Sequence, residues 1–205
     1  SNFGGVWVFP GGILEELDQL MAINHYCNGI SETEAKEILN NNSDSLPYWI
    51  ASLRETFEET GALIANRNDN SDFIPTVKEA EALVDLRSDL LNGKIAFDSI
   101  LKELGLKMAL DRLVYVSHWI TPKVETKRYT TRFFLTTVNE DILLTHDGIE
   151  GTDSKWIGVE DALQANETGS ISLIMATIKH LESISNYKNT ADLLNAKSIV
   201  KSKKI

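Results

Sequence analysis

The sequence predicts an α+β fold. Strand-like and helix-like segments interleave along its 205 residues without a regular βαβ rhythm. One long segment, residues 46–65, has strong helical periodicity, whereas the strand-like runs are short. Apolar residues make up 42% and charged residues 24%, a balance that suits a globular chain with a sizeable core.

Each element has its own justification. Val6-Trp7-Val8-Phe9 reads as a strand, and Phe9-Pro10-Gly11-Gly12 ends it in a glycine-dependent turn. Residues 13–44 are polar and hold one expected helix over Glu32–Leu39, for which Ser31 is the N-cap. Asn40–Ser45 is a loop. Residues 46–65, LPYWIASLRETFEETGALIA, form a helix with Pro47 in its first turn. Asn66–Thr76 is loop-like. Helices follow at Val77–Leu91 and Phe97–Leu104, separated by Asn92-Gly93. Strands are expected at Leu113–Trp119 and Thr130–Val138, joined through Pro122. Trp156-Ile157 reads as a short strand, Val159–Ala165 as a short helix and Ser172–Ser185 as an amphipathic helix, with 172–205 as C-terminal helix and tail. No internal repeat or low-complexity block breaks the chain, so one domain over 1–205 is expected.

Charge and cysteine content exclude several functions. Lys and Arg total 20 against 30 Asp and Glu, a formal charge of -10. Non-specific nucleic-acid binding needs a basic footprint, which this balance does not supply. A small anionic substrate stays compatible, because a bound divalent metal reverses the local sign. No run approaches the roughly eighteen apolar residues of a membrane span. Cys27 is the single cysteine, which rules out an intrachain disulfide and a cysteine-rich zinc site. The opening residues show no signal-peptide pattern, and the end is not Ser-Lys-Leu. A reducing, cytoplasmic setting is the expectation.

The helix over 46–65 carries the chemistry. At about 100° per residue, Leu46, Trp49, Ile50, Leu53 and Phe57 share one face. Glu55, Glu58 and Glu59, at i, i+3 and i+4, share the opposite one. Three carboxylates on one turn repel one another. Arg54 can relieve the repulsion through an i, i+4 contact to Glu58. A solvated acidic face is the plainer reading, and a site for a hard cation such as Mg²⁺ or Mn²⁺ is the sharper one.

Phe9-Pro10-Gly11-Gly12 followed by Arg54-Glu55-Thr56-Phe57-Glu58-Glu59-Thr60-Gly61 resembles a split Nudix box, G-x(5)-E-x(7)-R-E-U-x-E-E-x-G-U, where U is a bulky aliphatic. Gly12 and Arg54 are 42 residues apart where the pattern has 14, so 28 extra residues sit inside the box, within 13–44. A long insertion here is typical of the branch of the family that includes the peroxisomal coenzyme A diphosphatase and its bacterial relatives. Leu86-Arg87 through Gly93 and Phe97, His118-Trp119-Ile120-Thr121-Pro122, Arg128 through Phe134, and Glu150 before Trp156 fit that branch. The resemblance implies a Nudix-type α/β/α sandwich with a mixed sheet. Strand material before the Phe9-Pro10-Gly11-Gly12 turn is scarce, so the first strands are expected to be missing.

The chain departs from the pattern at three places. Leu46 stands eight residues before Arg54, where the first box glutamate belongs; either Asp18 or Asp44 takes that role, or the role is absent. Thr56 and Ala62 occupy positions where bulky aliphatics are usual.

By resemblance, Glu58 and Glu59 ligate Mg²⁺ or Mn²⁺, Glu55 is a further ligand or the general base, and Arg54 orients the carboxylates. The backbone at Gly12 completes the metal shell. Glu150 is the second candidate for base or ligand, and reads equally as an exposed loop carboxylate. Arg128 and Arg132 are candidates for substrate phosphates, with surface ion pairing as the commoner fate. Trp119, Phe133 and Phe134 read as core, and His118 as a hydrogen-bonded structural histidine. Cys27 is assigned no role. The implied activity is hydrolysis of the diphosphate of a nucleotide linked to another moiety, coenzyme A or acyl-CoA foremost, with NADH or ADP-ribose as alternatives. The partner is then a small nucleotide, with no nucleic acid and no membrane, and a homodimer left open. A non-catalytic Nudix-like binding domain is the rival.

Overall fold

A helix from Leu46 to Thr60 organises the larger of two units. The computed structural model describes residues 5–24, 26–121, 123, 128–138 and 153–195. Pro47 opens this helix, because its missing N–H costs nothing in the first turn. Gly61 closes it with φ +81°, a left-handed conformation that a side chain would strain. Its inward face buries Trp49, Ile50, Leu53 and Phe57 almost completely. Each such side chain contributes roughly 1.5–3 kcal/mol by leaving water.

Elements are numbered in chain order. In this unit they are α1 (Glu16–Ile23), β1 (Cys27–Asn28), α2 (Glu32–Leu39), α3 (Leu46–Thr60), β2 (Ala65–Arg67), α4 (Val77–Leu91), α5 (Phe97–Leu104), β3 (Leu106–Ala109) and a 3₁₀ turn at Leu110–Arg112. Helices α1, α2 and α4 all pack on α3. Phe57 meets Phe97 of α5 with ring centroids 5.7 Å apart and tilted by 49°, a favoured aromatic geometry. The sheet has the order β1-β3-β2, and β3 pairs parallel with β1 and antiparallel with β2, so the sheet is mixed.

The expected excursion inside the box has this form. Helix α2 spans Glu32–Leu39, and Ser31 accepts from the Glu34 N–H while Glu34 accepts from the Ser31 N–H. Residues 13–44 also hold α1 and the two-residue edge strand β1, neither of which the sequence reading placed. The central strand of the sheet, β3, comes from elsewhere in the chain.

The second unit takes residues 5–9, 114–137 and 155 onward, so far as they are described. It contains β4 (Val114–Ile120), β5 (Thr130–Leu135), α6 (Val159–Glu167), α7 (Met175–Ile184) and α8 (Thr190–Asn195). Strands β4 and β5 pair antiparallel, with a register shift between Tyr115 and Ser117. The shift is a bulge at Val116, and it accompanies burial of two sequence neighbours, Val116 and Ser117. Two expected strands are corrected. Within residues 6–9 only Trp7 pairs, in a single parallel bridge to Leu173. Trp156-Ile157 is irregular, with Trp156 68% exposed, and among the described residues no strand pairs with it.

Candidate active site

The site is built around one buried guanidinium. Arg54 of α3 is 1% exposed, and all five of its N–H groups have acceptors. Its Nε and Nη2 donate to the two oxygens of Asp18 at 2.9 and 3.1 Å. Nη2 also donates to the Ile13 carbonyl at 3.0 Å. Nη1 donates to Glu55 Oε1 at 3.0 Å and to Glu58 Oε2 at 3.1 Å. The i, i+4 contact between Arg54 and Glu58 expected from spacing is therefore formed.

For the place of the first box glutamate the sequence left Asp18, Asp44 or no residue, and of the two acids it is Asp18 that is hydrogen-bonded to Arg54. It sits in the first turn of α1 and is fully buried, and its Oδ2 accepts a further bond from the Glu15 N–H at 2.8 Å. It lies six residues after Gly12, the family's own glycine-to-glutamate spacing. The 28 extra residues thus fall between Asp18 and Arg54.

The glycine turn closes the other side. Gly11 N–H donates to Glu59 Oε2 at 3.2 Å. At Gly12, a Cβ would lie 2.1 Å from Glu55 Oε1, so the carboxylate occupies the space that any other residue would need. Glu55 and Glu59 therefore lie against the Gly11-Gly12 backbone, whereas the contact of the Glu58 carboxylate is with Arg54.

Arg54 brings one positive charge to three carboxyl groups, those of Asp18, Glu55 and Glu58. Burial is the largest influence on Glu58. It pushes this carboxyl up to about 7, with Arg54 pulling down and Glu55 and Glu15 pushing further up. Burial likewise raises Glu55, against the pull of Arg54. Burial opposes the charge on Arg54 itself, but the Asp18 hydrogen bond and the charges of Asp18, Glu58 and Glu55 hold it protonated above the ordinary guanidinium value. The cluster is short of positive charge.

Its donors are hard carboxylate oxygens beside an open backbone turn, which is the chemistry Mg²⁺ and Mn²⁺ select. Among the described residues, no three such side chains already converge as a cage.

The other expected residues fall as follows. Glu150 lies outside the described residues. Arg128 and Arg132 belong to the second unit. Arg128 Nε donates to the Thr121 carbonyl at 3.3 Å, and Arg132 stands on β5 opposite His118. His118 is hydrogen-bonded, its Nε2 2.6 Å from Thr130 Oγ1. Trp119 and Phe133 pack their rings on His180 at 5.8 and 4.1 Å. Cys27 is half-buried, and burial raises its thiol.

Two contacts escaped the sequence reading, although Arg87 itself stood among the segments that carry the resemblance. One is a buried pair, Ser117 Oγ and His180 Nε2, 2.5 Å apart, with His180 Nδ1 2.6 Å from the Ala176 carbonyl. The other is made by Arg87, whose Nε and Nη2 donate to the Glu58 carbonyl at 3.0 and 2.9 Å. A signal for Arg87 existed: it falls four residues after Leu83, on the buried stripe of α4.

The fold is of the Nudix class. A NUDIX hydrolase crystal structure from Alicyclobacillus acidocaldarius superposes with a TM-score of 0.75, covering 96% of this chain and 83% of that one at 23% identity. The chain belongs to the NUDT19 Nudix domain family, whose pattern it matches over residues 2–180. It is 30% identical over 125 residues to the acyl-coenzyme A diphosphatase NUDT19 of Xenopus laevis, an alignment that covers 56% of this chain and 33% of that protein. It is 21% identical over 182 residues to nudix hydrolase 7 of Caenorhabditis elegans, covering 89% and 51% respectively. The chain thus spans a third to a half of the length of these relatives. Among the described residues, no helix is long and apolar enough to cross a membrane.

Proposed function

We propose that this chain is a Mg²⁺- or Mn²⁺-dependent diphosphatase acting on coenzyme A or an acyl-CoA. The observation that carries the reading is the Arg54 hub, which gathers Glu55 and Glu58 on one side of α3 beside the Gly11-Gly12 turn. Family membership and the likeness to the Xenopus laevis acyl-coenzyme A diphosphatase support the substrate class.

In this reading Glu58 and Glu59 hold the ion, and the Gly12 backbone completes its protein ligands. When bound, the ion offsets charge on the diphosphate oxygens and makes the attacking water more acidic. Arg54 fixes Glu55 and Glu58, so neither carboxylate must reorganise during the reaction. Glu55 accepts the proton of the attacking water; its raised affinity for a proton suits that task. Water adds to one phosphorus, the bridging P–O bond breaks, and the proton ends on the departing phosphate. Glu150 is the second candidate for the base. Arg128 and Arg132 are assigned to the substrate's outlying phosphate groups.

The test is hydrolysis of coenzyme A, NADH and ADP-ribose with Mg²⁺, with Mn²⁺ and with EDTA. Coenzyme A turnover should vanish with EDTA. Glu59→Gln should cost roughly two to four decades in rate, on the order of 3–5 kcal/mol of transition-state stabilisation, while circular dichroism stays native. A folded Glu59→Gln protein with the wild-type rate would falsify the ligand role.

A further inference from the structure

We infer that Arg87 is a positioning residue for the two glutamates at the end of α3. The last turn of α3 carries Glu58 and Glu59 and contains no basic residue of its own. Carboxylates at that position face the negative end of the helix dipole, which disfavours them. The hydrogen-bond ladder also stops there. Gly61 N–H still reaches the Phe57 carbonyl at 2.8 Å. The next amide, Ala62 N–H, turns aside to Thr60 Oγ1 at 3.2 Å instead of continuing to the Glu58 carbonyl. Arg87 supplies both missing things. It stands on the buried side of α4 at 8% exposure and directs two N–H groups at the Glu58 carbonyl oxygen. A cation is thereby placed at the helix end, and the backbone of Glu58 is pinned from outside its own helix.

The consequence is geometric. The Glu58 side chain must reach Arg54 Nη1, and that of Glu59 must reach the Gly11 N–H. Both leave a turn that would fray without Arg87. Both bonds to Glu58 go to its backbone carbonyl, so they set direction while the Glu58 carboxylate bonds Arg54.

The experiment uses Arg87→Met and Arg87→Lys in the full chain, with Arg67→Met as control. Arg67 also anchors α4, through Glu79 at 3.1 Å, and among the described residues the other partners of its guanidinium are the Ile74 carbonyl and the Phe73 ring rather than the α3 end. Three readouts apply: amide exchange at Glu59, Thr60, Gly61 and Ala62, the affinity for Mn²⁺ alone, and coenzyme A kinetics. In Arg87→Met, exchange at these amides should rise at least tenfold and Mn²⁺ affinity should fall about tenfold. The kcat should drop by tenfold or more with KM within threefold, and Arg87→Lys should recover part of each. Arg67→Met should move none of the three. If Arg87→Met does not fold, Arg87→Gln, which keeps one donor for the carbonyl, takes its place. Unchanged exchange and Mn²⁺ affinity in a folded Arg87 variant, or losses matched by Arg67→Met, would overturn the inference. The kinetic arm rests on the diphosphatase reading. If wild type fails to hydrolyse coenzyme A, that reading fails, and the exchange and Mn²⁺ arms still decide the role of Arg87.

Discussion

Arg54 is tolerable in the interior because its charge and all five donors are met, and Asp18 meets two of them in a fork geometry. Removing one partner of such a pair leaves a buried charge under-compensated, and that costs more than the pair was worth. Asp18→Asn keeps the size but turns one acceptor into a donor facing Nε or Nη2. Glu55 and Glu58 remain, so the loss should sit near the low end for buried pairs, about 3 kcal/mol. Urea denaturation of the metal-free chain measures it, and a loss under about 1 kcal/mol would show that Glu55 and Glu58 alone satisfy Arg54. Asp18→Glu keeps the charge and should cost less. Sequence alone offered Asp18, Asp44 or no residue for this place. Spacing measured back from Arg54 pointed to Leu46, and only the folded chain shows which acid the insertion leaves beside the arginine.

At the level of elements, legibility followed how local the cause was. Helices α2, α4 and α5 begin and end where the sequence puts them. At α2 and α4 the cap is written in adjacent residues; Thr76 accepts from the Glu79 N–H, and Glu79 Oε2 accepts from the Thr76 N–H. Glu79 is drawn down to about 2 by the Arg67 hydrogen bond and by Thr76, so this box stays charged in mild acid. Thr76→Ala should cost about 1 kcal/mol, read as a shift of the urea midpoint with an unchanged slope. A neutral substitution would mean that the Arg67–Glu79 contact alone starts α4. Helix α1 escaped notice because Glu15 precedes it where Ser, Thr, Asp or Asn would be the signal. Strand β3, Leu106-Lys107-Met108-Ala109, was missed because its residues are weak strand formers. It is a strand because Tyr26–Asn28 and Ala65–Arg67 supply partners from distant sequence.

Over the whole molecule, the two units hold ionisable groups whose effects on stability run in opposite directions with pH. In one, Glu58 binds its proton more tightly when folded, with its value raised from 4.5 to about 7 chiefly by burial. Its favourable contribution is complete below about pH 4.5 and is lost as pH rises through 7. The carboxylate is 21% exposed, and the difference corresponds to about 3 kcal/mol across that window. In the other unit, His180 is held neutral. Its Nδ1–H donates to the Ala176 carbonyl and its Nε2 accepts from Ser117, while Phe133 and Trp119 cover the ring. Burial lowers its proton affinity, partly offset by the Ala176 carbonyl. The folded value therefore lies below the unfolded one near 6.5, so its contribution is present above 6.5 and is lost as pH falls through the folded value. Melting temperatures of the metal-free wild type, Glu58→Gln and His180→Gln, taken from pH 4.5 to 8, separate the two. The gain from Glu58→Gln over wild type should grow with rising pH. The deficit of His180→Gln should shrink as pH falls, because wild type loses the advantage of a neutral imidazole there. Curves that stay parallel to wild type across the range would mean that neither burial perturbs proton binding. Mn²⁺ should cancel the Glu58 slope and leave the His180 slope intact, because only the first group lies among the proposed ligands.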